Sequence, residues 1–132
     1  MMIAISEDLK SHFLRLYSMA FTDDNFHPLE LKMLYDFAEE RGVLNSKLDE
    51  LLLNPTLVQP KIPDSVVEKI TYLYQLSQMI WADGKVDENE RTTLIKYVKM
   101  FGFKDENVTD LSEYLLSAVE NKISLDDVLK EL

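Results

Sequence analysis

Cysteine is missing altogether from the 132 residues. Its absence excludes disulfide frameworks, thiolate metal sites and thiol nucleophiles together, and it suits a reducing compartment. Basic residues are scarce, with 14 Lys and Arg against 24 Asp and Glu for a formal charge of −10. A field of that sign repels phosphate backbones and anionic lipid surfaces, so nucleic acid is excluded as an expected partner. No apolar run approaches the roughly 20 residues that a membrane span requires. The opening "MMIAISEDLK" has no basic region, and its apolar stretch gives way at Ser6 to two acids, unlike a secretory signal. A cytoplasmic protein without membrane insertion is the expectation.

Glycine occurs only three times, while Leu, Glu, Lys, Met and Ala are plentiful, so propensity leans to helix. Periodicity agrees. Val66, Ile70, Leu73 and Ile80 fall on one stripe flanked by Val67, Tyr74 and Trp81, as one face of a helix demands. Nothing of comparable length alternates as a strand would. The expected helices run from about Ser6 to Ala20, His27 to Arg41, Asn45 to Leu53, Asp64 to Ala82, Asp87 to Phe101, Thr109 to Asn121 and Ser124 to Leu132. Ser6 before two acids, and Ser124 three residues before Asp127, have the chemistry of N-caps. Pro55, Pro60 and Pro63 interrupt the pattern in "NPTLVQPKIP" and mark a connection. At this length residues 1–132 predict a single all-α domain, a compact bundle of about seven helices that needs no staple.

The connection separates two related halves. A shift of sixty residues pairs Leu16 with Leu76, Met19 with Met79, Asp23 with Asp83, Glu30 with Glu90, Leu34 with Leu94 and Gly42 with Gly102. These identities fall at a turn, a helix start and a helix end, which predicts duplicated units at about 6–57 and 64–121 plus a C-terminal helix at 124–132. Each unit alone is marginal in size, so the two should share one core, with pseudo-twofold symmetry. Gly42 and Gly102 read as left-handed helix stops, followed by the apolar Val43 and Phe103.

One stretch suggests chemistry. "WADGKVDENE", Trp81 to Glu90, looks like the second half of a calcium loop, with Asp83, Gly84, Asp87 and Glu90 at positions 5, 6, 9 and 12. Positions 1 and 3 are then Met79 and Trp81, on the apolar stripe of the preceding helix, and the other copy has Met19 and Phe21 there. An EF-hand is excluded. Two readings stand for what remains. Asp87 with Glu90 fits the D-x-x-E capping pattern, and His27-Pro28-Leu29-Glu30 fits a helix start with Phe26 and Leu31 as a hydrophobic staple, so no ion is required. Against that, Asp83, Asp87, Glu88 and Glu90 crowd one connection with only Lys85 and Arg91 nearby, and a hard divalent cation relieves such repulsion.

The motif "ADGKVDENE" resembles the signature of the TerB-like family, which includes tellurite-resistance and DnaJ-like co-chaperone members. The resemblance spans Leu16 to Phe103 and implies a compact helical bundle with two acidic turns. It also implies a divalent cation (calcium, magnesium, manganese or zinc) held by Asp83, Asp87 and Glu90, and more weakly by Asp23 and Glu30. Asp24 in place of the glycine and His27 in place of the second acid weaken the first copy. A protein partner in a stress-related or regulatory complex follows from the same likeness, whereas tellurite resistance itself does not.

His12 and His27 are the only imidazole bases, and neither a Gly-rich phosphate loop nor a nucleophile elbow accompanies them. His12 reads as a surface or half-buried residue. Tyr72, Tyr74, Trp81, Tyr97 and Phe101 read as core, with an exposed partner patch as the alternative, and the last helix either seals the bundle, the more common role, or docks on another chain. The leading expectation is a non-enzymatic TerB-like module with a divalent-cation site. The alternatives are a pure interaction or scaffold domain whose acids only cap helices, and a metal-dependent hydrolase.

Overall fold

In a computed structural model, residues 7–20, 28–53, 62–84 and 86–131 are described. They form seven α-helices and no strand: α1 Glu7–Ala20, α2 Pro28–Glu40, α3 Asn45–Leu53, α4 Val66–Ile80, α5 Glu88–Met100, α6 Asp105–Glu120 and α7 Leu125–Glu131. A 3₁₀ turn, Trp81–Asp83, extends α4. The expected Ser6 cap, the Phe26–His27 helix start and residues 54–61 of the proline-rich connection lie outside the described residues.

α4 is the central element. From Tyr72 to Ile80 every residue except Gln78 is buried, so the helix is enclosed rather than striped. α1 lies along it, α6 covers another side, α5 packs on both α4 and α6, and α7 closes over it. Phe13 and Leu16 from α1, Leu34 from α2, Leu48 from α3, Leu94 from α5, Leu115 from α6 and Val128 from α7 meet Leu73, Leu76 and Met79 in one continuous core. Each such side chain contributes roughly 1.5–3 kcal/mol on burial. The first turn of α4 corrects the expected stripe: Val66 and Val67 are 60% and 58% exposed, and the core begins at Ile70. Ser65 caps this turn, its Oγ accepting from the Glu68 N–H at 3.0 Å.

Three helix-to-helix joints each turn on a residue at positive φ. At the first, the Gly42 N–H donates to the Glu39 carbonyl at 3.0 Å and the Val43 N–H to that of Ala38 at 2.9 Å, with Gly42 at φ +74°. This is a Schellman stop, with the residue after glycine turned back on the helix. Gly102, at φ +92°, ends α5 with its N–H on the Lys99 carbonyl at 3.0 Å. The third joint repeats the first pattern with Lys122 and Ile123, whose N–H groups reach Val119 and Ala118 at 3.1 and 2.8 Å. The next helix starts promptly each time, at Asn45, Asp105 and Leu125. That tight spacing explains why α6 begins at Asp105 and not at Thr109. Val108 must enter the helix to reach the core, where it is 5% exposed.

Lys122 is the strained member of the three, a non-glycine residue at φ +59°. A left-handed L-residue costs roughly 1–2 kcal/mol, part of which glycine loses again through unfolded-state entropy. Lys122→Gly is therefore expected to raise stability by roughly 0.5–1 kcal/mol. The gain should appear as a higher urea midpoint at an unchanged slope, and an unchanged or lower midpoint would contradict the strain.

Candidate functional site

The acidic turn is built by two helix ends. Gly84 takes φ +81° and its N–H closes on the Trp81 carbonyl at 2.9 Å, a left-handed stop that lets the chain reverse out of α4. Asp87 then sits at the N-cap of α5 in extended geometry. Its Oδ1 accepts from the Asn89 N–H at 2.7 Å, while its own N–H donates to Glu90 Oε1 at 3.1 Å. The capping box is complete, and Glu88 and Glu90 add negative charge at the positive end of the α5 dipole. Trp81 ties the turn to α6 through its indole N–H, which donates to the Leu116 carbonyl at 2.9 Å. Met79 is fully buried, so the places where a calcium loop needs oxygen ligands hold a core residue and a clamped indole.

Of the residues singled out for a cation, Asp87 and Glu90 come together. Glu88 beside them is exposed. Asp83 is placed by its backbone within the 3₁₀ turn, but its side chain lies outside the described structure, as does Asp23 entirely. Glu30 occupies the third position of α2 as Glu90 does in α5, and both are buried, at 3% and 2% exposure. Among the described residues no three carboxylate or imidazole groups gather as an ion site. Arg91 turns toward α6, where its Nη1 donates to Glu113, and that contact, aided by Glu88, raises its already high pKa.

A second polar cluster was not legible as such. His12 is fully buried rather than half-exposed. Its ring stacks on Tyr72 at 4.0 Å between centroids and 8° between planes. Gln75 Oε1 lies 2.7 Å from His12 Nε2 and 3.4 Å from Arg41 Nη2. Because a guanidinium can only donate, the amide oxygen must be the acceptor for both, so the imidazole carries its proton on Nε2. Burial pushes the His12 pKa down to about 3, with Arg41 and Arg15 adding to the effect and the bond to Gln75 opposing it. A neutral, enclosed imidazole of this kind meets no substrate from solvent. The sequence signal was its place in the stripe Leu9, His12, Phe13, Leu16, a helical spacing that leads inward.

Comparison with known proteins finds no relative: no protein-family model, no curated protein and no solved structure matches the chain.

Loss of the cap in Asp87→Ala is expected to cost about 1 kcal/mol, whereas Asp87→Asn, which can still accept, should cost a few tenths, both read from urea unfolding. For His12 the unfolded chain takes up a proton below its ordinary value near 6.5 while the folded chain does not. Its contribution is thus complete above about pH 6.5 and is lost as the pH falls toward about 3. Relative to His12→Gln, the wild type should lose roughly 1.4 kcal/mol per pH unit between about pH 6 and 4, and parallel stability curves would contradict a buried neutral imidazole.

Proposed function

We propose that the chain is a non-enzymatic, TerB-like helical module acting in a stress-related or regulatory protein complex, with the turn between α4 and α5 as a divalent-cation site. The observation that carries this is the capping box, in which Asp87 Oδ1 accepts from the Asn89 N–H and Glu90 Oε1 from the Asp87 N–H, so that both carboxylates are held at the start of α5. Carboxylate oxygens are hard donors that calcium, magnesium and manganese accept and that zinc tolerates. Asp83, just past the end of α4, is the third ligand in this proposal.

Duplication is part of the same reading. Helices α2 and α5 have bounds sixty residues apart, 28–40 and 88–100, and α3 and α6 start sixty apart at Asn45 and Asp105. Gly42 and Gly102 both adopt positive φ, and Glu30 and Glu90 are both buried. The first turn, with Asp23 and Glu30, is the weaker site because Asp24 and His27 stand where the second copy has Gly84 and Asp87.

One observation favours a second reading. The box is complete without an ion, as a pure scaffold domain with capping acids would require. Calorimetric titration with calcium, magnesium, manganese and zinc separates the two. Saturable binding by the wild type should disappear in Asp83→Asn/Glu90→Gln, a variant that keeps its cap because glutamine can also accept from the Asp87 N–H. Absence of binding, or equal binding by the variant, would leave the scaffold reading, for which a specific co-purifying protein is the expected sign.

A further inference from the structure

We propose that the face where α1 and the end of α2 meet α4 and the end of α5 is a heterotypic docking surface within one chain, cationic on the first half and aromatic or amide on the second, so that each half fits the other and not a copy of itself. The proposal rests on the duplication and is independent of the cation site. A shift of sixty residues makes His12 the counterpart of Tyr72, Arg15 of Gln75 and Arg41 of Phe101. Under a twofold that exchanges the halves, a residue can touch its own counterpart only on the axis. His12 and Tyr72 do so, ring on ring at 4.0 Å.

Off the axis, contacts must come in pairs. The Arg15 guanidinium lies 4.9 Å from the centre of the Phe101 ring. The counterpart contact joins Gln75 to Arg41, and it is present as the bond from Arg41 Nη2 to Gln75 Oε1 at 3.4 Å. The layout is that of a self-complementary dimer face, but its chemistry has been divided. His12, Arg15 and Arg41 come from the first half, and Tyr72, Gln75 and Phe101 from the second.

That division decides which pairings are tolerable. Two first halves would set Arg15 against Arg41 twice around a pair of stacked imidazoles, in surroundings where Arg15 is 8% and His12 0% exposed. Like charges so poorly solvated repel strongly. Two second halves would set Gln75 against Phe101 twice, leaving a buried amide facing a ring that cannot satisfy it. In the mixed pair, Gln75 Oε1 accepts from both His12 and Arg41, and Arg41 also lies 5.3 Å from the centre of the Tyr72 ring. The surface therefore fits the other half of the chain and rejects a second copy of its own half.

Urea unfolding of the full chain tests this with Gln75→Arg, Arg41→Phe and the two combined. Gln75→Arg alone opposes two guanidiniums at the 75/41 contact and should lower the midpoint sharply. Adding Arg41→Phe recreates there the arginine-on-ring contact seen between Arg15 and Phe101, so the double variant should recover roughly half of that loss or more, although Arg41→Phe by itself destabilises. The lost bond between His12 and Gln75 is common to both chains and cancels. A double variant no more stable than Gln75→Arg, including one that fails to fold, would overturn the proposal, as would a Gln75→Arg chain as stable as the wild type. Metal titration of the double variant reads the acidic turn separately.

Discussion

Enclosing the stretch of α4 from Tyr72 to Ile80 is the constraint from which most of the structure follows. A helix buried all round needs neighbours in every direction, and α1, α5, α6 and α7 supply them. It must also satisfy whatever polar atoms it carries inward, since an unmet buried group costs as much as a lost side chain of modest size. Ser77 returns its hydroxyl to the Leu73 carbonyl at 2.9 Å. Tyr74 donates to the Ile123 carbonyl at 2.6 Å, which fixes the approach to α7. Gln75 calls in His12 from α1 and Arg41 from the end of α2. The polar residues of α4 thus choose where its neighbours attach, while the apolar ones supply the energy.

The acidic turn inherits its order from the same helix. Because Met79 and Ile80 are locked in the core and Trp81 is bonded to α6, the reversal at Gly84 starts from a fixed point. The cap at Asp87 then aims α5 back across α4. The start of α5 is therefore held by packing on one side, through Trp81, and by the capping hydrogen bonds of Asp87 and Glu90 on the other.

Much of this was legible in the residues, for reasons that differ by element. The capping box and the glycine stops are local: Asp87 with Glu90, and Gly42 or Gly102 before an apolar residue, specify their geometry within a few positions. α3 was readable to its ends because the glycine stop at Gly42 precedes it and Asn54–Pro55 follows it in the sequence. The start of α6 was not, since Lys104 makes no side-chain cap bond and a core contact at Val108 sets the boundary instead. Lys122 in a left-handed stop was equally hidden, because only the repeated joint geometry calls for it. His12 and Gln75 sit sixty-three residues apart, and no local pattern links a histidine on one helix to an amide on another. The candidate site was readable in its capping half, through Asp87 and Glu90, while the position of Asp83 relative to them depends on how the turn folds in three dimensions.

The lone tryptophan gives the molecule a built-in optical probe. Trp81 is half-buried at the junction of α4 with the turn, and its indole N–H is engaged by the backbone of α6. Its emission colour accordingly reports the polarity and closure of this one junction instead of an average over several sites. Rearrangement of the turn, by whatever cause, has a spectral readout that requires no label and leaves the rest of the bundle silent.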